Sequence, residues 1–391
     1  MNEKIANKII VVDPGKNAVK VVVFSNTYEL LTHYMFPSKT QIKRTFSDID
    51  GSSDFQFRAE FEGSKYLIGE GVQSSYNFET TKNNIHHQLC VYTAIAKEVH
   101  SKNENVYVVV GYPSSDFSNE IQREKYVDLI KSNEKIDITL NGSDKSFNIS
   151  GFNVFPEGMA LVPRLKFPKR KVRVIDIGGQ NLNHRLYDEK GNTLESFSLD
   201  EAGTNHLEAY LRTILRKNIN ADMVDIDSIN ILEAIETQKI DAISDDMING
   251  YDSVASFIEN TVLDFIDNKI LNQLSSKNVS LHRRSHLIIF TGGGSIALKK
   301  YLEELLFNNS GNLYFSETAT WDNCASYLIK DLTQKFKDSK ISNIELANYT
   351  KKIIKAFNDL IIGITKSSEE NLTEDEELIN RKRKTVKQNR M

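Results

Sequence analysis

Three short segments combine glycine with groups that could contact a phosphate or a cation. Asp13-Pro14-Gly15, Asp176-Ile177-Gly178-Gly179 and Thr291-Gly292-Gly293-Gly294 each follow a run of apolar residues. Glycine lets backbone N–H groups approach a phosphate closely, and an aspartate can orient a hydrated cation. One such turn is a weak signal. Three of them, each placed after a strand of the buried type, predict a nucleotide held between two related lobes.

The first turn continues to Lys20 on the returning strand. Backbone amides of Gly15, Lys16 and Asn17 could bind a β- or γ-phosphate, and Lys20 could reach the same oxygens. A Walker loop is excluded, because the chain has no GxxxxGK[ST] pattern here and no helix follows directly. The alternative interpretation is a plain hairpin with a surface lysine.

The second turn repeats the arrangement, with an aspartate and then a pair of glycines. Asp176 would face Asp13 across a cleft, and the two carboxylates would hold Mg²⁺ mostly through water, as this cation prefers. The alternative is a Gly-Gly turn that only joins two strands. The residues predicted to contact phosphate here are Gly178, Gly179, Gln180 and Asn181.

Glu157 stands between an apolar strand and the helix-like segment 159–162. A carboxylate at such a junction can position a water for attack on the γ-phosphorus, and hydrolysis of a nucleoside triphosphate depends mainly on positioning and charge stabilisation. The alternative is a glutamate in the first turn of a helix, favoured there by the helix dipole. The residues alone leave both interpretations open.

The third turn ends a strand and opens a helix, with Ser295 as its last member. Gly292, Gly293 and Gly294 would allow a base, a ribose or an α-phosphate to lie on the main chain, and a helix N-terminus attracts anions. Gly-rich strand-to-helix turns are common, so this segment supports the other two and does not stand by itself.

The elements that would carry these turns alternate along the chain. Short β-rich runs open the sequence, and a continuous apolar run at 106–110 is typical of a strand buried on both faces. Strands recur from residue 172, a largely helical block fills 205–284, and helices are predicted near 320–336 and 341–365. The order predicts a duplicated α/β architecture with a cleft.

Composition limits the function classes. The chain has 391 residues, 40% hydrophobic and 26% charged, which is typical of a globular protein of about two domains. A net charge of −4 gives no whole-chain reason to expect nucleic-acid binding. Cys90 and Cys324 lie in apolar segments and predict buried, reduced thiols. No signal-peptide pattern or spanning apolar stretch is present, so we expect a cytoplasmic protein without direct membrane binding.

With these motifs in this order, the sequence resembles the actin superfamily. Residues 13–20 resemble the first phosphate motif, 155–158 the first connecting motif, and 176–179 the second phosphate motif. Residues 292–294 resemble the adenosine motif, and 321–327 the second connecting segment. The short N-terminal insertion and the segment 66–69 are most similar to bacterial plasmid-segregation actins of the ParM/StbA kind.

The resemblance implies an α/β fold of the actin-like ATPase type, in which two duplicated ribonuclease-H-like domains flank a nucleotide cleft. Domain I would span 1–165 with a small insertion at about 37–84. Domain II would span 166–365 with a helical insertion at about 211–284, and 366–391 would be a charged tail.

The resemblance also implies an ATPase, with GTP as a possible second substrate, that forms filaments on binding nucleotide. A DNA-binding adaptor on plasmid centromere DNA would attach to the filament ends. Asp13 and Asp176 would orient Mg²⁺ and water, Lys20 would contact phosphates, and Glu157 with Asp176 would serve hydrolysis. Two departures concern turnover and hinge movement. Asn181 and Asn183 stand where threonine and aspartate are frequent, and Ser326 stands where glycine is common.

Two other classes remain as alternatives. A sugar kinase or related phosphotransferase shares the core, but would also need a catalytic aspartate and a sugar-binding loop, neither of which is identified in the sequence. A bacterial cytoskeletal protein without a role in segregation would share both fold and assembly. A test of nucleotide-dependent polymerisation separates the kinase from the filament former.

Overall fold

Two β-sheets carry the three glycine-containing turns at strand ends that face one another. They are seen in a computed structural model of the chain, which describes residues 6–47, 53–72, 82–131, 135–219, 224–281 and 286–360. The predicted tail at 366–391 lies outside the described residues.

The first sheet has nine strands. Their order across the sheet is β3-β2-β1-β7-β9-β8-β5-β6-β4. The strands are β1 (Lys8–Pro14), β2 (Ala18–Ser25), β3 (Leu30–Pro37), β4 (Thr40–Lys43), β5 (Gln56–Phe61), β6 (Ser64–Gly69), β7 (Glu104–Tyr112), β8 (Ile136–Leu140) and β9 (Ser143–Pro156).

The second sheet has five strands, in the order β12-β11-β10-β13-β14. In both sheets a three-stranded antiparallel meander is followed by two strands parallel to its first strand: β7 and β9 follow β1, and β13 and β14 follow β10. This repeated topology confirms the predicted duplication. The strands are β10 (Val172–Ile177), β11 (Asn181–Tyr187), β12 (Thr193–Asp200), β13 (Leu287–Thr291) and β14 (Leu313–Phe315).

Helices cover both sheets. The larger helical block between β12 and β13 begins at Thr204, close to the start at 205 that the sequence predicts for this block. The helices are α1 (Ile85–Glu98), α2 (Ser114–Phe117), α3 (Glu120–Lys131), α4 (Leu161–Leu165), α5 (Thr204–Asn218), α6 (Ile231–Thr237), α7 (Val254–Phe265), α8 (Asn272–Ser276), α9 (Gly293–Ala297), α10 (Lys299–Leu305), α11 (Asp322–Lys337) and α12 (343–360). No helix within the described ranges has the length and apolar character needed to cross a bilayer.

Strand β1 shows why the first sheet is buried on both faces. Successive side chains of a strand point to opposite faces. Ile10 and Val12 therefore join the core formed with α1, whereas Ile9 and Val11 join a second core formed with α11 and α12. A continuous apolar run is the pattern that this double burial requires.

The C-terminal helices return to the first sheet. The sequence resemblance predicts 166–365 as domain II, yet Cys324 of α11 and Phe357 of α12 are fully buried in the same core as Val11 of β1. The described part of this segment after residue 321 thus packs with domain I. The domain boundary near residue 165 stays a prediction.

The small insertion extends the first sheet rather than forming a separate unit. Its strands β5 and β6 form a hairpin around Gly63, and β5 pairs with β8 of the main sheet through Ala59 and Glu60. Both cysteines are free and buried, as expected.

Candidate functional site

The three glycine-containing turns line one cleft with a cavity volume of about 250 Å³. We name them loop 1 (residues 13–20), loop 2 (176–181) and loop 3 (291–295). The predicted site residues that line the cleft are Asp13, Gly15, Lys16, Asn17, Lys20, Glu157, Asp176, Gly178, Gly179, Gln180, Asn181, Gly292, Gly293 and Gly294.

Loop 1 joins β1 and β2 as a hairpin in which Asp13 and Lys20 are directly paired. The Lys20 ammonium lies 3.0 Å from the Asp13 carboxylate, and both side chains are largely buried. The amide of Ser38, at the start of the small insertion, donates to the Asn17 carbonyl at 2.9 Å. The insertion therefore supports loop 1, and Lys20 is not a free surface lysine.

Loop 2 is held by the start of α5. The Thr204 and Asn205 amides donate to the carbonyls of Gly178 and Gly179 at 3.0 and 2.8 Å. Thr204 also lines the cleft. The positive end of the α5 dipole is consequently directed at loop 2, which favours an anion there.

The loops approach one another so closely that glycine is required at two positions. A Cβ on Gly179 would lie 2.6 Å from the Asn17 Cβ of loop 1. Gly292 has φ +81°, and a Cβ there would lie 2.3 Å from a carboxylate oxygen of Asp176. Loop 2 is thus in contact with both loop 1 and loop 3, as a shared ligand site requires.

Asn323 of α11 joins the two aspartates. Its Nδ2 lies 3.5 Å from a carboxylate oxygen of Asp13 and 3.5 Å from one of Asp176, while its Oδ1 accepts from the Gly158 amide at 2.9 Å. The Tyr327 hydroxyl, one helical turn later, donates to Asp13 at 3.3 Å. One face of α11 therefore sets the separation of the two carboxylates.

The two aspartates titrate in opposite directions. Burial alone would raise the pKa of Asp13, but the charges of Lys20 and Lys82 outweigh it and hold this pKa below its ordinary value. Burial, with the charges of Asp13 and Glu157, raises the pKa of Asp176 to about 7 despite Lys20. Asp176 is therefore the carboxylate whose ionised form an added cation would stabilise more.

Glu157 directly follows β9 and stands before α4, which begins only at Leu161. Ala160 between them has φ +42°, so Glu157 is outside the first helical turn, and the helix-dipole interpretation of this residue was wrong. Its carboxylate forms a buried ion pair with Lys82, whose ammonium also donates to the Pro14 carbonyl at 2.7 Å. The Ser114 hydroxyl donates to the Glu157 carbonyl at 2.5 Å.

Ser295 differs from the other predicted site residues. It is 1% exposed, and its hydroxyl donates to the Gly292 carbonyl at 2.8 Å, so it stabilises loop 3 and does not line the cleft. Thr291 is similarly structural, because its hydroxyl donates to buried Asp322 at 2.6 Å.

The residues present fit a nucleotide with Mg²⁺. Gln180 is buried, and its Oε1 has no hydrogen-bond partner within the described part of the chain. The described residues contain no cluster of three or more His, Cys, Asp or Glu side chains suited to hold a metal directly. Mg²⁺ usually keeps several waters and is bound by one or two carboxylates together with ligand phosphates, so the two aspartates fit its coordination preference.

Two residues of the site were missed by the sequence interpretation. Lys82 belongs to a polar stretch with no motif, so no local signal marks it. Asn323 lies inside the second connecting segment, 321–327, and that resemblance was the one available signal. Asn183, which departs from the superfamily pattern, is buried and accepts a hydrogen bond from the Ser198 hydroxyl at 2.7 Å. Its side chain thus links β11 to β12 within the second sheet.

Solved structures with the same fold were found. The chain superposes on an archaeal actin homolog, Ta0583, with TM-score 0.60, 18% identity, and coverage of 84% of this chain and 99% of that one. It superposes on a pCBH ParM non-polymerisable mutant with TM-score 0.62, 17% identity, and coverage of 82% and 98%. It superposes on an Alp12 filament structure with TM-score 0.54, 23% identity, and coverage of 83% of this chain and 98% of that one. The archaeal homolog has also been solved in complex with ADP.

These likenesses define the class: the protein has the actin-like fold, as predicted. Residues 12–159 match the family described as "Actin like proteins N terminal domain". The match covers the part of the chain that carries loop 1 and Glu157. No curated protein matches it in sequence.

Proposed function

We propose that this protein is a nucleotide-dependent, filament-forming ATPase that segregates plasmid DNA through a DNA-binding adaptor. The observation that carries the proposal is the meeting of loops 1, 2 and 3 around Asp13 and Asp176, with Glu157 at the same cleft. Support for assembly and for the plasmid role comes from fold neighbours described as ParM and as an Alp12 filament. GTP is a second possible substrate.

The roles of the residues follow from their positions. Backbone amides of loops 1 and 2, with Lys20, would bind the β- and γ-phosphates, and loop 3 would bind the nucleoside side. Asp13 and Asp176 would hold Mg²⁺ mostly through water, and the cation would neutralise charge that develops on the phosphates. Glu157 would accept a hydrogen bond from the attacking water and align it with the γ-phosphorus.

The test is polymerisation of the full chain. Light scattering with MgATP, MgGTP, MgADP or no nucleotide is measured across protein concentrations, and samples are viewed by negative-stain microscopy. We expect filaments above a critical concentration with a triphosphate and Mg²⁺, and disassembly after chelation with EDTA. A protein that remains monomeric but phosphorylates a sugar would instead be the kinase alternative.

Glu157→Ala separates assembly from turnover. Because Glu157 would act on the water and not on the phosphates, we expect phosphate release to slow about 10²-fold or more, within the usual range for a positioned acid or base, while filaments still form. Equal phosphate release by variant and parent would remove Glu157 from the mechanism.

A further inference from the structure

Lys82 is paired with the cleft residue Glu157 and is itself buried, with 1% of its surface exposed. A lysine almost never loses its water unless its charge is paired. Here its ammonium contacts two oxygens that belong to different parts of the site, the Glu157 carboxylate and the Pro14 carbonyl. The charge is thus placed where β9 ends and where loop 1 begins.

The positions of the two acceptors depend on Lys82 to different degrees. The Pro14 carbonyl belongs to loop 1, which is also held by Ser38 and by the Asp13–Lys20 pair. The Glu157 carboxylate forms its ion pair with Lys82, and the hydrogen bonds of Glu157 to Tyr112 and Ser114, within the described ranges, are made by its main chain. Removal of the ammonium would therefore free the side chain of Glu157 far more than its backbone.

We propose that Lys82 is a positioning residue for hydrolysis, which holds the Glu157 carboxylate at a fixed place relative to loop 1 so that the carboxylate can orient the attacking water. The inference rests on the proposed ATPase function. It assigns a role to the small insertion, because Lys82 lies at the end of that segment and connects it to the water-positioning group.

A positioning role predicts a particular kinetic pattern. Nucleotide binding uses loops 1, 2 and 3, whereas Lys82 acts through Glu157. Lys82→Met should therefore lower kcat for MgATP about 10- to 100-fold with KM changed less than about threefold. The same substitution made in a Glu157→Gln background should have no further effect on kcat.

The matched control is Lys8→Met. Lys8 is also a largely buried lysine that donates to a main-chain carbonyl, that of Glu98, and lies 3.6 Å from a carboxylate, that of Glu104, but it is distant from the cleft. We expect its kcat and KM to equal those of the parent. A loss of kcat of the same size in Lys8→Met would attribute the effect to lost stability, and so would overturn the proposal.

A folding defect is separated by chemical rescue. Lys82→Ala with added ethylamine should regain part of the lost kcat, since the small ammonium can occupy the vacated place. Absence of rescue in a variant that still binds a fluorescent ATP analogue, or a further loss in the Glu157→Gln background, would contradict the proposal. If the parent itself releases no phosphate, the proposed ATPase function fails. The Lys82–Glu157 pairing is then judged by a double-mutant cycle in urea unfolding, where additive effects would refute it.

Discussion

The Ser326 hydroxyl accepts a hydrogen bond from the Leu161 amide at 2.8 Å and so joins α11 to the first residue of α4. Ser326 is fully buried. Glycine is common at this position in the superfamily that the sequence resembles, and glycine would leave the Leu161 amide without this acceptor. The departure noted in the sequence is therefore a structural link from the second connecting segment, which contains Ser326, to the start of α4.

Ser326→Ala should destabilise the protein. A buried amide that loses its acceptor costs about 1–3 kcal/mol, and we expect a decrease of that size in the free energy of unfolding, measured in urea without nucleotide. Thr333→Ala on the same helix is the control. The Thr333 hydroxyl donates to the Ile329 carbonyl within the helix, and its removal should change stability by less than about 0.5 kcal/mol. Equal stability of Ser326→Ala and the parent would show that the link is dispensable.

Gly292 and Gly293 offer a matched pair of substitutions in loop 3. Alanine at 292 would combine φ +81° with a Cβ 2.3 Å from Asp176, whereas a Cβ at 293 meets nothing within 4 Å. Gly292 also has ψ 155°, a backbone conformation open essentially to glycine alone, and such strain costs about 1–3 kcal/mol for another residue. We expect Gly292→Ala to lower the melting temperature by several degrees or to prevent folding, and Gly293→Ala to fold like the parent.

The same pair tests where the ligand lies. Because Gly293 lines the cleft, a methyl group there should weaken binding of a nucleotide without harming the fold. Titration of a fluorescent ATP analogue measures this. Unchanged affinity in Gly293→Ala would mean that loop 3 does not contact the ligand.

Asn323→Asp should place a third carboxylate beside Asp13 and Asp176. Like charges at this distance repel, and burial strengthens the effect. We expect a lower melting temperature than for Asn323→Ala in EDTA, and a larger increase on addition of MgADP than the parent shows. Asn260→Asp, an exposed position on α7, is the control. A melting temperature of Asn323→Asp that does not respond to MgADP would argue against a cation between the aspartates.

The burial of His184 should contribute to the loss of folding stability at low pH. Burial, with the nearby Arg173 charge, lowers the pKa of His184 from 6.5 to about 3, and the ring lies 2.5 Å from Arg173 Nη1. Between these two pKa values, His184 is protonated in the unfolded chain and neutral in the folded chain. The stability contributed by neutral His184 is present above pH 6.5 and is lost as the pH falls towards 3.

His184→Gln removes this titration. Its free energy of unfolding should decrease less steeply than that of the parent between about pH 6.5 and 4, as measured by urea unfolding at several pH values. His100→Gln, at an exposed position, should keep the parent's slope. Identical slopes for His184→Gln and the parent would mean that His184 is not neutral in the fold.

Much of the fold could be predicted because it depends on local patterns. The unbroken apolar run of β1 requires burial on both faces, and Ile9 and Ile10 do enter different cores. Aspartate and glycine directly after such an apolar run mark loops 1 and 2, because the turn that ends a buried strand is where backbone amides become available. The duplication was predicted from element order and is confirmed by the strand pairings.

Other features could not be read locally. Ser295 has the residue type of a binding group, but the turn rotates its hydroxyl onto the Gly292 carbonyl. Lys82 reads as one more polar residue before α1, since nothing in its neighbours reveals that residue 157 will lie beside it. The placement of α11 on the first sheet likewise depends on which apolar surface remains uncovered once both domains have formed.

The sequence by itself therefore determined the fold class, the three loops and the pair of aspartates, because strand burial and turn chemistry are written in adjacent residues. Only the tertiary structure decided which distant side chains complete the site. Asn323 reaches Asp13 across 310 positions of the chain, and Lys82 reaches Glu157 across 75. Such contacts arise from packing between elements, and packing is a property of the whole folded chain, which no local pattern contains.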